Sequence, residues 1–224
     1  MEKTIKCCKL DFMMIKSYLV KNIALLLVMS IFISVMNKNV IMILGMMGIY
    51  GVMVLSYPFV LQEKNGIDNF YGTLSLNRKI IVRGRYLFTI GLGILSGVIS
   101  LISCIVLNKI MSFGMSIEEI AFTAAIMFGI YIVLASLQLP IYFKFGYTKA
   151  KMYAMFPIFL IPIIAVGGTT LIKDRPELIE KIKYIGTMIE NNSLAFGVMI
   201  VAVVLLIMEI SLIISSKLYE ERKE

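Results

Sequence analysis

The chain has no histidine and no tryptophan. Without histidine there is no Ser-His-Asp or Cys-His nucleophile and no imidazole ligand for zinc. Without tryptophan, any aromatic belt at a membrane interface must be built from tyrosine. Three cysteines, Cys7, Cys8 and Cys104, cannot make a disulfide framework. Cys7 and Cys8 lie among lysines and read as reduced, chemically idle thiols. Charge is scarce too: 16% of the 224 residues are Asp, Glu, Lys or Arg, against about 25% in soluble domains. No acidic cluster suggests a metal centre, and no cofactor is expected. The pattern G-x-x-x-x-G-K-[ST] is absent, so the chain cannot hydrolyse ATP through a P-loop.

What is abundant is apolar sequence, 59% of residues, where soluble domains carry about 45–50%. Disorder is excluded by that figure. A water-soluble globule of this size has too little interior for so much apolar surface. The apolar residues form continuous runs, which favours spanning helices over a barrel. Six spans are expected, at about 18–36, 40–61, 86–107, 120–142, 152–172 and 194–216, each near the roughly 20 residues that cross the hydrocarbon. The N-terminus, the loop after the second span, the loop after the fourth and the C-terminus together hold 16 of the 22 Lys and Arg. Basic residues mark the cytoplasmic side, so both termini are predicted to be cytoplasmic. The net charge of +8 is then a topology signal. It does not point to nucleic acid, which would need a basic groove with interleaved aromatics on a soluble face. No secretory signal peptide is expected, because a polar-rich segment precedes the first apolar run and no cleavage site follows it.

Outside the spans, three segments have pattern. Residues 1–17 are amphipathic: Ile5, Cys8, Phe12 and Ile15 share one helical face with Leu19, and Lys3, Lys6, Lys9 and Lys16 lie off it. Such a helix would rest in the headgroup plane, its lysines toward anionic lipid, either as a basic anchor or as a link to a cytoplasmic partner. The loop 62–85 is longer than the usual helical hairpin link of about 2–8 residues. It mixes Glu63, Asp68, Arg78, Lys79, Arg83 and Arg85 with apolar Ile67, Phe70, Leu74 and Leu76, a surface suited to packing on a protein. Lys79, Arg83 and Tyr86 are spaced to share a helical face. Residues 176–191 read as an outer surface helix, started by Asp174 and Pro176.

Within the spans, Glu209 is the one acidic residue. An intramembrane carboxylate is a functional candidate, as a gate or a polar point on a pathway, unless it is hydrogen-bonded to neighbours or snorkels inward. Met42, Met46, Ile49 and Met53 form a stripe along the second span. It could line a pathway for varied apolar ligands, or serve as packing and lipid-facing filler. Gly93-x-x-x-Gly97 suggests close helix packing, and Pro157 and Pro162 are candidate kinks.

The segment Leu74-Ser75-Leu76-Asn77-Arg78-Lys79-Ile80-Ile81-Val82-Arg83-Gly84-Arg85-Tyr86 resembles the T-L-P-x-S-R-x-x-[IV]-V-x-x-K-Y stretch of small ABC-2 type exporter permeases. Leu139-Pro140-Ile141-Tyr142-Phe143-Lys144-Phe145-Gly146-Tyr147-Thr148-Lys149-Ala150-Lys151 is similar to the run that follows the fourth span in that family. The C-terminus from Ser211, with Tyr219-Glu220-Glu221-Arg222, resembles its S-x-x-[IL]-Y-E-x-R-[ED] ending. Ser75, Asn77 and Arg85 stand where the family usually has Pro, Ser and Lys. The resemblance implies an all-α, six-helix permease of a bacterial plasma membrane, paired with a second copy or a paralogue and driven by a separate ATP-binding-cassette ATPase. It implies residues 1–17 as a connecting helix, residues 18–216 as the permease domain and 217–224 as a cytoplasmic tail. Loop 62–85 would hold a coupling helix on the ATPase, with Glu63, Asp68, Arg78, Lys79 and Arg83 as coupling residues. The implied substrate is a hydrophobic or amphipathic peptide or antibiotic. Two other readings stay open: a substrate-capturing membrane subunit of an energy-coupled importer, and a non-transporting immunity or scaffold protein.

Overall fold

The computed structural model describes residues 2–64, 77–173 and 193–222, and their side chains except those of 160–173 and 193–198. Asp68 and the expected outer helix 176–191 lie outside the described residues. Everything described is helix or the short turns between helices, with no strand among these residues.

α1 (Glu2–Met36) is a single 35-residue helix. It has no break at the expected boundary between residues 17 and 18, so the N-terminal segment is continuous with the first span. The chain reverses over Asn37–Asn39, with Lys38 at φ 50°. The Asn39 N–H closes onto Ser34 O, and the Ser34 hydroxyl donates back to Asn39 O at 2.7 Å, which satisfies carbonyls the helix end would leave bare. α2 (Ile41–Val54) and α3 (Tyr57–Lys64) form one apolar path with a slight interruption before Pro58, at a position where proline is tolerated in a first turn.

α4 (Arg78–Met111) starts at Asn77, whose side chain accepts from Lys79 N at 3.0 Å, an ordinary Asn cap. It ends at Ser112 in the left-handed region. α5 (Ile117–Lys173) opens on a reciprocal capping box: Ser116 N donates to Glu119 Oε2, and Glu119 N donates to Ser116 Oγ. α5 has 57 residues, about 85 Å at 1.5 Å per residue, far more than one crossing requires. It is divided by Gly146 at φ 72°, ψ 178°, and its backbone stays helical through Pro157. The break thus lies in the gap expected between the fourth and fifth spans, at a glycine, the residue that adopts positive φ without a steric penalty, and the kink expected at proline is not seen. α6 (Ser193–Glu221) closes the chain.

Five of the helical stretches are long and apolar enough to cross a membrane. Their outward faces are apolar: Val28, Phe32, Ile94, Ile102, Leu206 and Ile213 are all more than half exposed. Such a surface is unsuited to water and matches hydrocarbon. Inside, two clusters form. One gathers Ile15, Phe59, Val82, Tyr86, Tyr142, Phe143 and Tyr219. The other, toward the opposite end, gathers Val40, Ile43, Met47, Cys104 and Ile120. Two of the buried serines donate to their own helix, Ser96 to Gly93 O and Ser100 to Gly97 O, which leaves little polarity for a ligand there.

Gly93 and Gly97 behave differently. A side chain at Gly93 would run into the Tyr131 ring, whereas at Gly97 nothing lies within 4 Å. The small-residue pattern thus makes room for an aromatic ring at one position and lines an open groove at the other.

Candidate functional site

The α1 N-terminal half, the end of α3, the start of α4, the Gly146 break and the end of α6 meet at one end of the molecule. Four of these bring side chains into one polar junction.

At its centre is Arg85, 1% exposed. Its Nε lies 2.8 Å from Oδ2 of Asp11, also buried. Nη2 donates to Gln62 Oε1 at 2.7 Å, and the guanidinium stacks 4.4 Å from the centre of the Phe59 ring. Burial pushes the Asp11 carboxyl above its ordinary pKa, while the Arg85 charge and hydrogen bond pull it back. Arginine does not give up its proton in proteins, so a neutral Asp11 would leave a buried cation with no counter-charge. The pair is therefore read as an ion pair. Gln62 passes the connection on, its Nε2 donating to Tyr219 Oη at 3.3 Å. Beside the pair, α1 and α4 come very close: a Cβ on Gly84 would lie 2.8 Å from Cys7 Cβ and 3.3 Å from Thr4 O. Burial raises both the Cys7 and Cys8 thiols, which keeps them protonated and unreactive.

Of the expected loop 62–85, residues 62–64 belong to α3 and 78–85 to α4, and Glu63 and Arg78 pin the helix ends on either side of what lies between. The Glu63 carboxylate accepts from Tyr147 N at 2.5 Å, from Thr148 N at 3.0 Å and from the Thr148 hydroxyl at 2.6 Å. It thus caps the second limb of α5, just after Gly146, where free N–H groups and the helix dipole favour an anion. Arg78 Nη1 donates to three carbonyls at the end of α6, Tyr219 O, Glu220 O and Arg222 O, at 3.0–3.1 Å. It also sits 5.6 Å over the Tyr219 ring. A cation on these carbonyls complements the negative helix end. Lys79 reaches Glu220 at 3.5 Å.

Above this junction a hydroxyl relay joins α4, α5 and α6. Ser211 donates to Ser136 O at 2.5 Å. Its proton is therefore committed, so Tyr86 donates to Ser211 Oγ at 2.5 Å and Ser215 donates to Tyr86 at 2.9 Å.

Of the expected coupling residues, Glu63, Arg78 and Lys79 are thus brought together. Arg83 is exposed and makes no ion pair among the described residues. Tyr86, expected on the same face as Arg83, turns into the core. Glu209 lies apart, exposed among Leu206, Ile210 and Ile213. Met42, Ile49 and Met53 face outward at 40–46% exposure, with Met46 half-buried. The expected stripe of residues 5, 8, 12, 15 and 19 is rotated in fact: Cys7, Asp11, Ile15 and Leu19 are buried, while Ile5 and Phe12 are exposed. Asp11 was the informative residue, an acid inside a lysine-rich segment, lying on the apolar side at i+4 from Cys7. Gln62, Tyr219 and the Gly146 turn were not singled out either.

A cleft between α2, α4 and α5, lined by Gly48, Gly93, Ser96, Gly97 and Tyr131, encloses only about 20 Å³, room for about one water.

A family model described as ABC-2 family transporter protein matches residues 8–220. The chain belongs to the ABC-2 transporter family. It is a multi-pass membrane protein and a permease component, and such permeases normally pair with an ABC ATPase subunit. Comparison with curated proteins and with solved structures gives no match. The described parts of the three segments that carry the sequence resemblance, 77–86, 139–151 and 211–222, meet at the junction: Arg78 on Tyr219 to Arg222 and Phe143 against Tyr219 at 5.3 Å, with Glu63 of α3 on Tyr147 and Thr148.

Proposed function

We propose that this ABC-2 permease is an exporter subunit whose 62–85 loop is the seat of the ATPase. The polar junction would be the cytoplasmic end of six spans, with both termini there, and α5 would supply two spans around Gly146. The observation that carries the reading is that both ends of the loop are pinned to other helices, Glu63 to the α5 turn and Arg78 to the end of α6. A push on the loop would therefore reach α3, α4, α5 and α6 together. Asp68, Lys79 and Arg83 would meet the ATPase itself. Arg83 suits that role because it is exposed at the start of α4. A second copy or a paralogous permease would complete the pathway, and the outward Met42, Met46, Ile49, Met53 stripe would then face that pathway. The favoured cargo is a hydrophobic or amphipathic peptide or antibiotic, a class that Met-rich surfaces accommodate.

The importer reading finds less support. A vitamin-sized ligand needs a pocket of about 300–1,000 Å³, and the cleft between α2, α4 and α5 is far smaller.

The test is affinity purification of the tagged chain from its native membranes, with the Asp68→Lys/Arg83→Glu variant beside it. The expected result is an ABC-type ATPase retained by the wild type and lost from the variant, with loss of resistance to amphipathic peptide antibiotics. Equal ATPase retention and equal resistance would overturn the assignment of the loop.

A further inference from the structure

The N-terminal half of α1 is not part of the loop, yet it is locked to α4. Gly84 lets the α1 backbone approach to Thr4 and Cys7. One turn further along α1, Asp11 meets Arg85 out of water. Two charges taken out of water are a poor way simply to glue helices, because desolvation offsets most of their attraction. What such a pair provides is direction. It holds only in one register, and removing either partner strands the other charge.

Arg85 occupies a central place in the junction. It contacts Asp11 on α1, Gln62 and Phe59 on α3, and through Gln62 it reaches Tyr219 on α6. Asp11 Oδ1 and Arg85 Nη1 have no hydrogen-bond partner among the described residues. The two groups therefore depend on each other.

We propose that Asp11 and Arg85 are positioning residues for coupling: their ion pair makes the N-terminal half of α1 move with the ends of the 62–85 loop when the ATPase binds nucleotide. This rests on the proposed seating of the ATPase on that loop. The pair touches neither nucleotide nor cargo. It fixes α1 to the base of α4, so that the first span joins the α3, α4 and α6 displacement.

The test uses the purified complex of the full chain with its ATPase in lipid nanodiscs. Amide hydrogen exchange is followed with and without a non-hydrolysable ATP analogue. In the wild type, nucleotide is expected to change exchange both at the loop ends and across residues 2–17. In Asp11→Asn the ATPase should still co-purify and the loop ends should still respond. The nucleotide-dependent change in residues 2–17 should fall at least about tenfold, because stranding a buried charge shifts the local docking equilibrium by more than that. Asp11→Asn combined with Arg85→Gln leaves no charge stranded but still lacks the ion pair, so the response in residues 2–17 should stay lost. A response in residues 2–17 that is equal in wild type and Asp11→Asn overturns the proposal. So does a wild type that responds only at the loop ends, a double variant that recovers the wild-type response, or loss of the ATPase from Asp11→Asn. A wild type that carries no ATPase overturns the functional reading itself, and this inference with it.

Discussion

Replacing Glu63 with alanine separates two roles that the residue could have. If Glu63 acts inside the chain, its removal uncaps the second limb of α5. The carboxylate accepts three hydrogen bonds, from Tyr147 N, Thr148 N and the Thr148 hydroxyl. Loss of a good N-cap costs about 1 kcal/mol, with a range of about 0.5–2. Hydrogen bonds to a charged acceptor contribute about 1.5–3 kcal/mol when shielded. Glu63 is only half-buried and Thr148 is exposed, so water replaces part of what is lost. The net expectation is about 1–2 kcal/mol for Glu63→Ala and about half that for Glu63→Gln, which keeps one acceptor. For a chain of this length 1 kcal/mol corresponds to about 2–4 °C. Thermal denaturation in detergent should therefore show Glu63→Ala melting about 2–8 °C lower, and ATPase co-purification at low temperature should persist. A shift below about 1 °C, together with a lost ATPase, would refute the reasoning. Glu63 would then be an ATPase contact and not a cap.

Tyr86→Phe removes the middle of the hydroxyl relay, so Ser215 loses its acceptor across the α4–α6 contact and Ser211 keeps only its bond to Ser136 O. Polar contacts between membrane helices average about 0.6 kcal/mol and reach about 1.7, so a loss of about 1 kcal/mol is expected in chemical denaturation, and an unchanged midpoint would count against the relay. Gly93→Leu must displace the Tyr131 ring, an overpacking worth about 1–3 kcal/mol. Gly97→Leu meets open space and should cost less than about 0.5 kcal/mol. Equal melting of these two variants would show that the glycine pair acts as a unit.

The helices were legible because continuous apolar runs have few solutions in a membrane. Their lengths were less so. Residues 1–17 and the first span were read apart because their compositions differ, but the backbone has no reason to break there: no glycine or proline lies between Glu2 and Met36. The α5 break falls at Gly146, inside the gap expected between the fourth and fifth spans, whereas the prolines expected to kink the fifth span leave its backbone helical. A proline only removes one hydrogen bond that neighbours can replace, whereas a glycine at φ 72° reverses the chain direction outright. Glu63, Arg78 and Lys79 were found through charge in an otherwise apolar chain. Asp11 was not, because an acid among lysines reads as a solvated residue until a buried arginine lies opposite it. That pairing spans 74 positions in sequence, and no local pattern carries it.

Arginine side chains at the start of α4 show how position decides what a charge does. Arg78, Arg83 and Arg85 lie within eight residues of one another. Arg78 closes the end of α6, Arg83 faces outward, and Arg85 is buried against Asp11, Gln62 and Phe59. The buried site uses three parts of the guanidinium: Nε for the carboxylate, Nη2 for the amide and the flat face for the ring. A lysine here would offer a single point charge and no planar face. It could meet Asp11 but could not hold Gln62 and cover Phe59 at the same time. Arg85 is therefore matched to Gln62 and Phe59 as much as to Asp11, and α3 is tied into the junction by geometry that charge alone would not supply.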